Sequence, residues 1–109
     1  MAIMTVTDYL EYIREDYRKW QGRMPAKNDT IRQEMIAEFE AGVRYEIGKK
    51  FIKVITGSSV HSFIVFKDDG KFKKGDILKA ATWRAPAKNF ARGNLLEGDV
   101  KRVTWTGAA

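Results

Sequence analysis

The sequence has no cysteine, a single histidine and only two prolines in 109 residues. Without thiols there is no disulfide framework, no thiolate metal site and no cysteine nucleophile, and an intracellular setting fits best. The lone His61 leaves only carboxylates to complete a metal site, and Asp68-Asp69-Gly70 lacks the ligand spacing of a calcium loop. No metal and no cofactor are therefore expected. No apolar run approaches the roughly 18 residues of a membrane span, so no membrane role is expected. The first residues, MAIMTVTDYLEYIRED, reach acids too early for the cationic start and apolar middle of a signal peptide. Phosphate loops are lacking as well. Gly57-Ser58-Ser59 has no Gly-Lys-Ser/Thr continuation, and no helix signal stands directly behind Gly93-Asn94.

Catalysis finds little support. His61 precedes Ser62 in a strand-like run, and alternation along a strand sends consecutive side chains to opposite faces, which would keep the two apart. The acids after residue 48 fall in turns and connectors, so no carboxylate pair can be nominated. A non-enzymatic protein is expected.

What is present is ordinary globular chemistry with an uneven charge. Hydrophobic residues make up 44% and charged residues 31%, which disfavours disorder, and the length suits one domain over 1–109. The net charge is +6, yet residues 1–48 carry seven Lys/Arg against nine Asp/Glu, and residues 49–109 carry thirteen against five. A basic second half suggests a surface that attracts anions; equally, lysines keep exposed strands soluble and blunt sheet edges.

Val6, Leu10, Ile13, Tyr17 and Trp20 recur every three or four residues and predict an amphipathic helix from about 6 to 21, capped by Thr5 with Asp8 and stopped by Gly22. Arg23 to Asp29 reads as a connector. Thr30 with Gln33 marks a second helix, whose stripe Ile31, Met35, Phe39 and Val43 runs on to Ile47 and the stop at Gly48. Gly42 within it suggests close approach to another element. From residue 49 the period becomes two. Four strands are expected, at Phe51–Ile55, Val60–Phe66, Ile77–Trp83 and Val100–Thr106, with turns at Gly57-Ser58-Ser59, Asp68-Asp69-Gly70-Lys71 and Lys73-Lys74-Gly75-Asp76. The expected architecture is α+β: a helical part, 1–48, whose two helices pack on a four-stranded antiparallel sheet or small partial barrel built from 49–109.

The candidate site centres on WRAPAKNFARGN, Trp83 to Asn94, in the connector between the third and fourth strands. Pro86 near its start and Gly93 past its end predict a short helix from Ala85 to Arg92, with Phe90 inward and Lys88 and Arg92 along one outer edge. Lys79, Trp83, Arg84, Lys88, Asn89, Arg92 and Asn94, with Lys101 and Arg102 further on, would supply phosphate contacts, a stacking ring and amide hydrogen bonds to nucleic acid or another polyanion. Trp83, Phe90 and Trp105 suit a core as well as a stacking platform, and Arg84 and Arg92 could instead cap carbonyls or pair with Glu97 and Asp99. A second class of function is protein–protein binding or homo-oligomerisation, for which Tyr9, Tyr12, Tyr17, Trp20 and Met24 offer interface-type side chains.

From Val60 to Asn94, VHSFIVFKDDGKFKKGDILKAATWRAPAKNFARGN, and again at Val103-Thr-Trp-Thr-Gly107, the sequence resembles a group of small uncharacterised tailed-bacteriophage proteins, over residues 50–107. The resemblance brings no catalytic motif and no residue roles. It implies an accessory phage protein, located in the cytoplasm of a bacterial host or in the virion, that binds nucleic acid or else a host or phage protein.

Overall fold

A computed structural model describes residues 4–24, 29–68 and 70–109. Helix α1, Val6–Arg23, opens with a reciprocal cap: Thr5 Oγ1 accepts from Asp8 N at 3.0 Å, and Asp8 Oδ2 accepts from Thr5 N at 3.2 Å. It continues through Gly22 to Arg23, whose charge suits a helix C-terminus. Helix α2, Asp29–Gly42, starts one residue before the Thr30 cap expected from sequence. Of the connector expected from Arg23 to Asp29, Arg23 closes α1 and Asp29 opens α2, and 25–28 lie outside the described residues.

The second helix ends earlier than its apolar spacing predicts. Val43–Ile47 is strand β1, paired antiparallel with β2, Phe51–Thr56. The expected stripe at every fourth residue, from 31 to 47, coincides at its end with the alternation Val43, Tyr45, Ile47, and β-branched residues tip that end into a sheet. Gly42 is the switch: a Cβ there would sit 3.0 Å from Gly57 N, and that amide donates to Gly42 O at 3.0 Å. Ile31 and Met35 accordingly remain exposed, whereas Phe39 stacks on Tyr17 at 4.1 Å between ring centroids.

Strand β3, Ser59–Val65, follows a two-residue turn at Gly57-Ser58, and β4, Asp76–Lys79, is shorter than the expected strand. The Asp68–Lys71 turn includes Asp69, outside the described residues. Strand β5 is Gly93–Asn94, followed by a single 3-10 turn, Leu95–Glu97. The five strands form one antiparallel sheet in sequence order. The last expected strand is instead a small hairpin, β6 (Val103–Thr104) with β7 (Gly107–Ala108), forming a second sheet. The result is α+β with five strands plus two, in place of four.

Strand parity sorts the core onto two faces. Ile52, Val54, Ile64 and Ile77 meet Tyr9, Leu10 and Ile13 of α1, together with Leu95 and Val103. The other face gathers Phe63, Val65, Phe72 and Leu78, edged by Phe51 and Ala91. Among the described residues, no helix contributes to that second cluster. Loop residues such as Phe72 and Ala91 cover it, so its margin is where exposed side chains can collect.

Candidate anion-binding face

The stretch from Ala80 to Arg92 is not a helix. It runs back along β4 as an irregular hairpin: Ala80 bridges Pro86, Ala87 N donates to Lys79 O at 2.7 Å, and Arg92 N donates to Ile77 O at 2.7 Å. Proline lacks an N–H and has a fixed φ, which suits a bridge on an edge as well as a helix start. At the tip, Thr82 Oγ1 accepts from Arg84 N and Ala85 N, at 3.2 and 3.0 Å, and closes a tight turn. Between the two rungs, residues 88–91 bulge outward.

Those two protrusions carry the exposed chemistry. Trp83 is 46% exposed, and Lys53 Nζ stands 4.7 Å over its ring. Lys88 Nζ lies 5.7 Å over Phe51, and Lys71 Nζ holds the bulge by donating to Lys88 O at 3.1 Å and to Asn89 O. A shallow cleft of about 280 Å³ beside them is lined by Lys49, Phe51, Lys53, Phe63 and Arg84, with Glu46 its one acid. Each ammonium covers one face of its ring, and Trp83, at 46% exposure, keeps further surface open to a planar ligand. None of Lys53, Lys71, Arg84 and Lys88 joins an ion pair among the described residues. Three acids of the N-terminal half are engaged elsewhere: Arg18 bridges Glu11, Glu15 and Glu40, which holds its guanidinium even more firmly protonated.

The structure brings together Trp83, Arg84 and Lys88 from the sequence-based set and separates the rest. Arg92 is only 6% exposed. Its Nη1 donates to Asn89 Oδ1 at 2.8 Å and to Phe90 O at 2.7 Å, and the guanidinium lies 3.9 Å from the Phe90 ring centroid. Arg92 and Asn89 thus shape the bulge, and Phe90, expected inward, faces out at 45% exposure. Asn94 is buried: Oδ1 accepts from Leu96 N and Glu97 N, and Nδ2 donates to Lys74 O and Asp76 Oδ1. Both side chains are committed to the fold and are withdrawn from the ligand-contact set. Lys79 stands in register with Ser62, on the α1 side of the sheet and away from Lys53. Lys101 and Arg102 are exposed in the turn before β6, and Arg102 reaches within 5.6 Å of Phe90, at the far side of the bulge. Lys49, Phe51, Lys53 and Lys71, which also stand on this candidate face, were not named individually from the sequence. The signal was the two-residue spacing of Phe51 and Lys53, which puts both on one strand face.

The tyrosines nominated for an interface move inside. Tyr9 is fully buried, and Tyr12 is half-buried, its hydroxyl within reach of Val100 O and Val103 O. Trp105 packs between Tyr17 and Trp20, at 5.0 and 4.9 Å.

His61 and Ser62 do pair, contrary to strict alternation. Across β2, Val54 faces Ser62 and Ile55 faces Val60, so His61 is the unmatched residue of a β-bulge, and His61 and Ser62 reach each other. His61 Nε2 donates to Thr104 O at 2.7 Å, and burial lowers the pKa of the ring and keeps it neutral. Nδ1 therefore accepts the Ser62 hydroxyl at 2.8 Å, and Ser62 Oγ accepts from Tyr9 Oη at 2.8 Å. The dyad is sealed: Ser62 has no exposed surface. A buried hydroxyl offers substrate no access, and the network serves the core. Among the described residues, no three His, Cys, Asp or Glu side chains could hold a metal ion, and no helix is long and apolar enough to cross a membrane.

The geometry is that of a small α+β protein with one face on which cations, unpaired among the described residues, are set among aromatic rings. The chain belongs to DUF7717, a family of unknown function, whose model matches residues 3–109. No curated protein and no solved structure matches it.

Proposed function

We propose that the protein binds polyanions without catalysis, nucleic acid foremost, through the face formed by Lys49, Lys53, Trp83, Arg84 and Lys88. The observation that carries this reading is the pairing of Lys53 with Trp83 and of Lys88 with Phe51, in cations that have no carboxylate partner among the described residues. Backbone phosphates would meet the ammonium and guanidinium groups, and an unpaired base would stack on Trp83. Single strands suit this surface best, because their bases are free to splay onto a ring. The phage-accessory role, acting in a bacterial cytoplasm or virion, rests on the sequence resemblance over residues 50–107. Assembly with another protein chain has a separate support in the open edge of β1.

The test is a calorimetric titration with single- and double-stranded DNA and RNA oligonucleotides across a salt series. Log K should fall linearly with log salt, by about 0.7 per phosphate neutralised on a single strand. The variant Lys53→Glu/Arg84→Glu/Lys88→Glu should lose binding and keep its thermal transition. Unchanged affinity in that variant would remove the site.

A further inference from the structure

We propose that β1 is a self-association edge: two copies of the chain pair β1 to β1, antiparallel, about a two-fold axis through Tyr45. β1 is one of the two edge strands of the five-stranded sheet. Its hydrogen-bonding parity follows from its two ends, where Gly57 N donates to Gly42 O and Gly48 N donates to Phe51 O. Antiparallel pairs alternate between bonded and non-bonded, so Arg44 and Glu46 direct their amides and carbonyls to β2, and Val43, Tyr45 and Ile47 direct theirs outward. Arg14 confirms the phase independently, because its Nη2 reaches the outward Val43 O at 3.0 Å. No described residue takes the outward backbone groups of Tyr45 or Ile47.

An unpaired ladder is a template for another strand, and natural edges are usually blunted by charge, proline or a bulge. β1 has no proline and no bulge against β2, and it exposes two large apolar side chains, Tyr45 at 42% and Ile47 at 62%. What selects a second copy as the occupant is charge complementarity. Val43-Arg-Tyr-Glu-Ile47 is symmetric in chemistry about its centre. Turned on itself it sets Arg44 against Glu46 of the other copy, and Glu46 against Arg44, on one face. On the opposite face it sets Tyr45 against Tyr45, with Ile47 beside Val43, whose own surface is already covered and whose carbonyl already accepts from Arg14, so the Tyr45 and Ile47 end of the strand is the open part of the edge. Cross-strand pairs of these types stabilise an antiparallel sheet, whereas a register centred on Glu46 would oppose two like charges. A perpendicular two-fold keeps corresponding faces together, so both Lys53-bearing faces would lie on the same side of a joined sheet. A single-strand contact is small, so the dimer is a weak, concentration-dependent one. The proposal is independent of the polyanion reading, since it uses no nucleic acid and none of the cations assigned to that face.

Sedimentation equilibrium over a broad concentration range tests it. The unmodified chain should shift from monomer toward dimer as concentration rises. Arg44→Glu places acids at both positions and Glu46→Arg places cations at both, so each alone should associate at least about tenfold more weakly, as two symmetry-related pairs become repulsive. An equimolar mixture of the two variants should dimerise again, which a misfolded variant could not do. Ile47→Lys, at an exposed position, gives a second route to weakened association without touching the Arg44 contacts to Gly42 O and Gly57 O. An unmodified chain that stays monomeric at all concentrations, dimers undiminished in all three variants, or a mixture that does not recover would each overturn the proposal.

Discussion

His61 Nδ1 and Ser62 Oγ, side chains of consecutive residues in β3, stand 2.8 Å apart inside the core, and Tyr9 Oη closes the same network at 2.8 Å. The unfolded imidazole takes up a proton near pH 6.5, but the folded one resists it because burial disfavours the charged form. The stabilising contribution is complete above pH 6.5 and is lost as pH falls below it, since the unfolded state then binds more protons. Urea midpoints measured from pH 7.5 to 5.5 should therefore fall, and His61→Gln should flatten that slope. At the alkaline end burial raises the Tyr9 pKa, so stability should fall again above about pH 10, where an unfolded tyrosine ionises.

Asn94 should be a stability residue and not an affinity residue. Asn94→Ala removes the acceptor for Leu96 N and Glu97 N and leaves buried Asp76 Oδ1 without its donor. A loss of about 2–3 kcal/mol is expected, from one lost cap plus one buried acceptor left unmet. Chemical denaturation gives the value, and oligonucleotide affinity extrapolated to the fully folded fraction should be unchanged.

Trp83 and Lys88 should separate stacking from charge. Trp83→Ala should weaken single-strand binding by about 5- to 100-fold, the equivalent of one stacked base, and leave the salt slope alone. Lys88→Ala should lower the slope by about 0.7. Salt-dependent titrations of both variants check the division; equal slope changes in the two would contradict it.

Gly93 is a packing requirement. A Cβ there would lie 2.3 Å from Asp99 O, the carbonyl that accepts from Asn94 N at 3.0 Å. Gly93→Ala must move backbone, and a destabilisation of about 1–3 kcal/mol should follow, read as a lowered thermal midpoint.

How far sequence carried the fold depended on how local each signal was. The Thr5–Asp8 cap and the spacing from Val6 to Trp20 act within one helix, and α1 formed where they indicated. β1 was hidden because Val43 and Ile47 satisfy a helical period and a strand period together, and pairing with β2, which suits their β-branched side chains, decides between them. The segment after Trp83 was misread because Pro86 and Gly93 punctuate a helix or a hairpin equally well. The candidate site was half legible. Trp83, Arg84 and Lys88 stand on protrusions of one loop, but Lys53 joins them through the fold of the sheet. Arg92 was lost to the loop because Phe90 and Asn89 hold its guanidinium.

The three tryptophans occupy unlike surroundings, and the molecule therefore carries two optical channels. Trp20 and Trp105 sit ring against ring beside Tyr17, where emission will follow unfolding. Trp83 sits in the open beside an ammonium group, accessible to a soluble quencher and to any base laid across it. In a native protein, iodide, drawn to the surrounding positive charge, should quench that single emitter preferentially, and a bound strand should shield it.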